Sequence, residues 1–152
     1  MKAIKKILFP VDFSEVSPRI APWVLMVAES FEAEIHLLFV ARGLEYFSDI
    51  YVAPVAIENF AGEIIQGGET SMEEFVEAHF DKYPALKTKV VLGDATEKIL
   101  DYVKSEGIDL VIMGTHGRKG LERVFFGSVA DRVIKMSQVP VLSINPHNIK
   151  AP

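Results

Sequence analysis

Two glycine stretches carry the residue types best placed for chemistry: Gly114-Thr115-His116-Gly117 and, after nine intervening residues, Gly127-Ser128. The first follows the apolar run Asp109-Leu110-Val111-Ile112-Met113, and the second opens a stretch with helical periodicity, so together they read as strand, glycine loop, helix start. Such a place suits phosphate. Glycines allow positive φ and let a ligand approach main-chain N–H groups that a Cβ would shield. At Gly127-Ser128 the first N–H groups of the helix lack intrahelical acceptors, and the helix dipole adds ~0.3–1 kcal/mol for an exposed anion. An anion can supply the missing acceptors.

Arg118, Lys119 and Arg123 make the intervening loop basic, which can steer or hold phosphate, although solvated loop charge is the ordinary explanation for any one of them. The spacing G-x-x-G-x9-G-S is neither a Walker A loop, whose G-K-[ST] would begin at Lys119, nor a Rossmann G-x-G-x-x-G after a strand. Catalytic chemistry is weakly supported, and no catalytic residue is assigned. There is no cysteine, Ser128 has no assigned base, and no G-x-S-x-G elbow occurs. Asp12 or His116 could serve as a base only with the right geometry. His36, His79 and His147 show no metal-ligand spacing with His116 or with one another, so no metal site is expected from side chains.

The elements that must position these groups are legible along the chain. Lys6 to Asp12 is nearly continuous in apolar side chains, as for a strand covered on both faces, and Pro10, which cannot donate to a ladder, should lie near its end. Asp12 then falls at the strand's carboxyl edge. Ser14 or Ser17 can cap the next helix, with Pro18 favouring Ser17. Ile20, Val24, Val27, Ala28 and Phe31 define that helix's buried face. A second strand runs from Glu34 to Val40. Residues 44 to about 59 lack a period and read as a long loop. A long helix follows with Ile64, Ile65, Met72, Phe75, Val76, His79 and Phe80 on one side and Gly67-Gly68 as a bend or division.

Thr88 to Leu92 is a third strand ended by Gly93-Asp94, and a helix from about Thr96 to Ser105 buries Ile99, Leu100 and Val103 before Gly107. The glycine loop ends the fourth strand. The last helix turns Val129, Val133 and Ile134 inward, and Pro140 to Ile144 is a fifth strand. Alternating strands and helices predict an α/β fold, a doubly wound five-stranded parallel sheet with helices on both faces. Its ligand crevice lies beyond the strands' carboxyl ends where the strand order reverses. With the first and fourth strands as neighbours, Asp12 and Gly114 flank that crevice.

The 152 residues suit one domain, 1–152, with a single sizeable core. With 49% hydrophobic and 24% charged residues the balance is globular rather than disordered. No apolar run approaches the ~18 residues of a membrane span, and the opening Met1 to Asp12 reads as a strand rather than a signal peptide. A net charge of −5 argues against a general nucleic-acid surface. The absence of cysteine fits a cytoplasmic location.

The opening Ile7-Leu8-Phe9-Pro10-Val11-Asp12-Phe13-Ser14, the strand end at Val40, the Gly93 turn, the glycine signature and the closing Val139-Pro140-Val141-Leu142 resemble the universal stress protein family, in its ATP-binding branch. The resemblance covers nearly the whole chain and implies an adenine-nucleotide alpha-hydrolase-like fold. It implies that Asp12 and the backbone around Pro10 and Val11 meet adenosine, and that Val40 contacts adenine through its main chain. Gly114, Gly117, Gly127 and Ser128 would hold the phosphates, with Met113 and Val129 lining the site. It also implies a homodimer through the last strand, Val139 to Asn145, an apolar edge that independently invites a partner. The expected function is an ATP-binding regulatory module of a stress response, with an unknown protein partner. Mg²⁺ is compatible with such a site because it binds through substrate phosphates. Slow ATP hydrolysis or phosphotransfer, and a structural dimer that takes no nucleotide, are the alternatives.

Overall fold

A computed structural model describes residues 3–43, 53–116 and 127–152. Strands β1 (Lys6–Val11), β2 (Glu34–Ala41), β3 (Leu86–Leu92), β4 (Leu110–Gly114) and β5 (Val141–Ile144) alternate with helices α1 (Ser17–Phe31), α2 (Pro54–His79), α3 (Ala95–Glu106) and α4 (Ser128–Met136). The strands form one parallel sheet of order β3-β2-β1-β4-β5. Successive strand residues face opposite sides, so both faces of the apolar runs need cover. Ile7, Phe9, Ile35, Leu37 and Ile112 pack with Ile20 and Val24 of α1 and Met72 and Phe75 of α2. On the opposite face Leu8, Leu38, Val111 and Met113 pack with Ile99 and Val103 of α3 and Ala130 and Val133 of α4. The expected doubly wound sheet is therefore present.

Two helix boundaries have clear local causes. Asp94 starts α3 by accepting the Glu97 N–H at 2.9 Å, and Gly107 ends it at φ +65°, a conformation glycine adopts without a Cβ penalty. Asp94 also reaches Arg132 of α4 at 3.5 Å. The capping N–H of Glu97 is the largest cause of the depressed Asp94 pKa, with the Arg132 charge adding to it.

Helix α2 departs from the expected reading twice. It begins at Pro54, so residues 54–59 are helical rather than loop, and it runs unbroken through Gly67-Gly68. Its first turns rest on no core: Val55, Ile57 and Phe60 are exposed, which is why no apolar period marks them. At Gly68 tertiary contact outweighs propensity. A Cβ there would stand 2.8 Å from Val90 Cγ1 and 3.1 Å from Phe39 Cδ1, so glycine is what allows the helix to lie directly on the sheet. Gly67 faces open space. Phe31 and Ile134, expected inward, are 46% and 38% exposed; each sits in the last turn of its helix.

The histidine within the sheet, His36, is fully buried. His36 of β2 places Nδ1 2.9 Å from the Tyr102 hydroxyl on α3, while Nε2 lies 2.6 Å from Glu34 Oε1 but off the line of a directional hydrogen bond. Lys87 of β3 holds the same Glu34 oxygen at 3.0 Å. Burial lowers the His36 pKa against the opposing pull of Glu34, with Lys87 and Lys6 lowering it further. Burial also pushes Tyr102 up to about 12, with Glu106 and Glu34 adding to the rise. Because the folded chain resists protonating His36, the unfolded chain binds more protons below the ordinary histidine value. The stability this gives is complete above about pH 6.5 and falls as pH drops below it, by at most ~1.4 kcal/mol per pH unit. Urea unfolding of the wild type between pH 7.5 and 5.5 should show this slope, and His36→Gln should lack it; equal slopes would exclude the assignment.

Candidate functional site

Helices α1 and α2 follow β1 and β2 on one face, whereas α3 and α4 follow β3 and β4 on the other, so the winding reverses between β1 and β4. Strand β1 is registered with β2 from Lys6↔Glu34 to Val11↔Phe39, but with β4 only at Ile7↔Leu110 and Leu8↔Val111. Beyond those pairs the carboxyl ends of β1 and β4 flank the position that ligands usually take in open α/β sheets, where the strand order reverses. Pro10 and Val11, then Asp12, belong to one wall, and Met113 and Gly114 to the other. The missing N–H of Pro10 falls beyond the last β4 pair, where the ladder does not require it.

The β1–α1 turn is organised around the Asp12 carboxylate. Its Oδ1 accepts the Ser14 N–H at 3.0 Å, the Ser14 hydroxyl at 2.6 Å and the Ser17 hydroxyl at 2.9 Å. This corrects the expectation that a serine caps α1: the N-cap is Val16, and no side chain makes a capping bond. Both hydroxyls instead donate to the nearby carboxylate. Between these residues Phe13 occupies the left-handed region at φ +55°, uncommon for a bulky residue. Its ring, 4.5 Å from that of Phe39 and 6.0 Å from that of Phe75, ties the turn to the core.

On the opposite wall the glycines act differently from expectation. Neither Gly114 nor Gly127 adopts positive φ; among the described residues only Gly93 and Gly107 do so as glycines. Gly114 is required for packing instead. A Cβ there would lie 2.6 Å from Ile20 Cδ1 of α1 and 3.1 Å from the His116 carbonyl oxygen. Gly127 closes the neck of its loop by donating its N–H to the Thr115 carbonyl, and Thr115 donates in turn to Ile144 at 2.9 Å. Gly127 is also the N-cap of α4 and brings no side chain to it. The first-turn N–H groups of Ser128, Val129 and Ala130 thus receive no side-chain cap among the described residues, so the chemistry of this helix start fits an anion.

The structure therefore brings Pro10, Val11 and Asp12 to one wall and Met113 and Gly114 to the other, with Gly127 and Ser128 joined to the latter through Thr115. Val40, at the end of β2, packs on the same apolar cluster as Met113 and Val129. Gly117 lies outside the described residues, as do Arg118, Lys119 and Arg123. Sequence reasoning missed the serines' task at Asp12, although the D-x-S-x-x-S spacing of an Asx turn carried the signal. It also missed the His116 and His147 rings, 5.4 Å apart at adjoining strand ends. Spacing along the chain does not reveal that juxtaposition. Among the described residues no group of three or more His, Asp or Glu side chains is arranged to hold a metal ion, and no helix is long and apolar enough to cross a membrane.

An open, doubly wound parallel α/β protein with its switch point between β1 and β4 is what the fold defines. The model of the universal stress protein family matches residues 3–145. Universal stress protein MJ0577 of Methanocaldococcus jannaschii is 32% identical over 156 residues, covering 95% of this chain and 96% of that protein. Its solved structure superposes with a TM-score of 0.79 at 30% identity, covering 95% of this chain and 97% of that one. UspA from Lactobacillus plantarum, at 23% identity and TM-score 0.78, covers 95% of this chain and all of its own, 100%. The Arabidopsis thaliana family protein At3g01520, solved with AMP bound, is 22% identical with a TM-score of 0.63 and covers 93% of this chain and 91% of its own. The chain belongs to the universal stress protein family.

The packing role of Gly114 is open to a direct test. Gly114→Ala should cost ~1–3 kcal/mol through overpacking against Ile20. Ile20→Val alone should cost ~0.5–1.5 kcal/mol as a lost methylene. Combined with Gly114→Ala, that shortening should cost less than this or restore stability, because it removes the obstructing Cδ1. Additive losses in denaturant unfolding would show that the two residues do not compete for the same space.

Proposed function

We propose that this chain binds ATP in the crevice between β1 and β4 and acts as a nucleotide-dependent regulatory module. The observation that carries the reading is the pairing of a fixed carboxylate, Asp12, on one wall with the uncapped helix start at Gly127-Ser128 beyond the other. One end offers acceptors and the other donors, the polarity of a nucleoside polyphosphate. The AMP held by the Arabidopsis relative supports an adenine nucleotide. In this reading adenosine meets Asp12 and the backbone of Pro10 and Val11, and adenine meets the main chain of Val40. The phosphates meet Gly114, Gly127 and Ser128, with Gly117 contributing from the intervening loop; Met113 and Val129 line the site. Mg²⁺ would accompany the phosphates. Regulation is favoured over hydrolysis because both candidate bases are engaged in positioning: Asp12 holds the two serines, and His116 Nδ1 lies 2.8 Å from the Thr115 hydroxyl.

Calorimetric titration of nucleotide-stripped protein with Mg-ATP, beside Mg-GTP and AMP, tests the reading. Micromolar ATP affinity, about −8 kcal/mol, should vanish in Gly127→Trp. A folded wild type that takes up neither ATP nor AMP would overturn it.

We infer further that two copies join along β5. That strand is a sheet edge, Leu142 and Met26 beside it are about 40% exposed, and a groove of about 390 Å³ runs between β5 and α1. Analytical ultracentrifugation should give twice 16.9 kDa for the wild type. Ser143→Pro, which removes an edge donor, should shift the protein to monomer. A monomeric wild type at tens of micromolar would exclude the dimer.

A further inference from the structure

We propose that the β3 edge of the sheet, with the groove beside it, accepts one added strand from another protein, a segment that turns apolar and basic side chains toward α2 and an acidic one toward Lys89. This surface lies at the opposite edge of the sheet from β5 and stands independently of the nucleotide reading.

The register of β3 turns half of its peptide groups away from β2. Ile35 donates to the Ala85 carbonyl at 2.8 Å and Gly93 to the Ala41 carbonyl at 2.9 Å, with Leu86 opposite Ile35 and Leu92 opposite Ala41. In a parallel ladder that parity commits the N–H and C=O groups of Lys87, Lys89 and Val91 to β2 and directs those of Leu86, Thr88 and Val90 outward. Among the described residues no strand lies beyond them. Such an edge is a template for a further strand, and main-chain hydrogen bonds would supply the affinity.

Side chains beside the edge define what that strand must carry. A groove of about 490 Å³ runs between α2 and β3, with Thr88, Lys89 and Val90 on its strand side. Met72 is buried in it, and Val76 and Val90 are half-buried, so the groove takes an apolar side chain. Glu69 and Glu73 also line it, exposed and one helical turn apart. Neither is paired with a cation among the described residues. Over its whole length α2 carries six glutamates and no lysine or arginine. Arginine or lysine flanking the apolar residue therefore complements this side.

The other face of the edge has the opposite sign. Strand alternation puts Lys87 and Lys89 on the side of Val91, which packs with the α3 and α4 cluster. Lys87 is held by Glu34 at 3.0 Å, whereas Lys89 has no carboxylate partner among the described residues. A carboxylate on the added strand answers it. A second copy of this chain does not fit these demands. Two β3 edges related by a two-fold axis would set one acidic α2 beside the other and lysine beside lysine, and like charges directly opposite are destabilising.

The test titrates the ¹⁵N-labelled full chain with two heptapeptides of one composition, Thr-Arg-Glu-Val-Glu-Arg-Thr and Thr-Glu-Arg-Val-Arg-Glu-Thr, whose charges are exchanged between faces. The first should move the amide resonances of Leu86 to Leu92 and bind roughly two- to thirty-fold more tightly, the worth of two exposed ion pairs. Changing both Glu69→Lys and Glu73→Lys, at exposed positions, should reverse the preference. Thr88→Pro removes an outward N–H that β2 does not use and should abolish binding of either peptide. No binding at millimolar peptide, equal affinities, shifts centred elsewhere, or a preference unchanged in the doubly substituted chain would each overturn the proposal. So would β3 resonances that move with protein concentration alone, which would make a second copy the occupant.

Discussion

Parallel strands can be joined only by crossovers, and crossovers are almost always right-handed. This constraint governs the molecule. A chain that starts with β1 at the centre, builds β2 and β3 outward on one side and then returns to build β4 and β5 on the other must place its helices on opposite faces. At the seam α1 and α4 lie on opposite faces of the sheet. The crevice is thus a consequence of strand order, and the residues on its walls are those that happen to end β1 and β4.

What those residues do is fixed by local competition. At the end of β1 both serine hydroxyls are turned to donate charge-assisted hydrogen bonds to the carboxylate, and neither oxygen accepts a helix-start N–H. The uncommon backbone of Phe13 costs of order 1–3 kcal/mol, offset in part by its aromatic contacts with Phe39 and Phe75. At the end of β4 the glycine is kept by the isoleucine behind it rather than by a turn. Gly68 follows the same logic on α2, where its missing side chain admits Phe39 and Val90. Phe39 therefore joins two dependencies, supporting the Asp12 turn on one side and the seat of α2 on the other.

The sheet was legible in the sequence because its strands are covered on both faces and so read as unbroken apolar runs, and the Pro10 anomaly correctly marked a strand end. The switch-point walls followed from that order. The helices were legible only where they touch the sheet. Residues 54–59 carry apolar side chains that meet no core, so their spacing held no signal, and Phe31 and Ile134 are exposed in the last turns of their helices. The glycine pair in α2 looked like a break because propensity is a local quantity, whereas its reason is Val90, about twenty residues away. The serines were misread for a related reason: a cap is inferred from the helix downstream, and the competing acceptor lay upstream.

A regulatory role makes a further physical demand, that occupancy of the crevice bear on something elsewhere. Strands β1 and β4, which join the half of the sheet carrying β2 and β3 to the half carrying β5, are registered at Ile7↔Leu110 and Leu8↔Val111, with the Asp109 N–H donating to the Lys6 carbonyl at 2.9 Å. A ligand bound to Asp12 and to the α4 start would add a further attachment between these halves. The route onward is continuous: Gly127 donates to Thr115, and Thr115 donates to Ile144, the last residue of the edge strand β5. The proposed anion site and the proposed dimer edge are therefore separated by one residue's two peptide groups. Any differential binding of nucleotide between two arrangements of this neck must appear as a differential free energy at the edge, and linkage requires that dimer formation alter nucleotide affinity by the same factor. Coupling of this kind needs no large motion, because the hydrogen-bonded neck is shared by both sites.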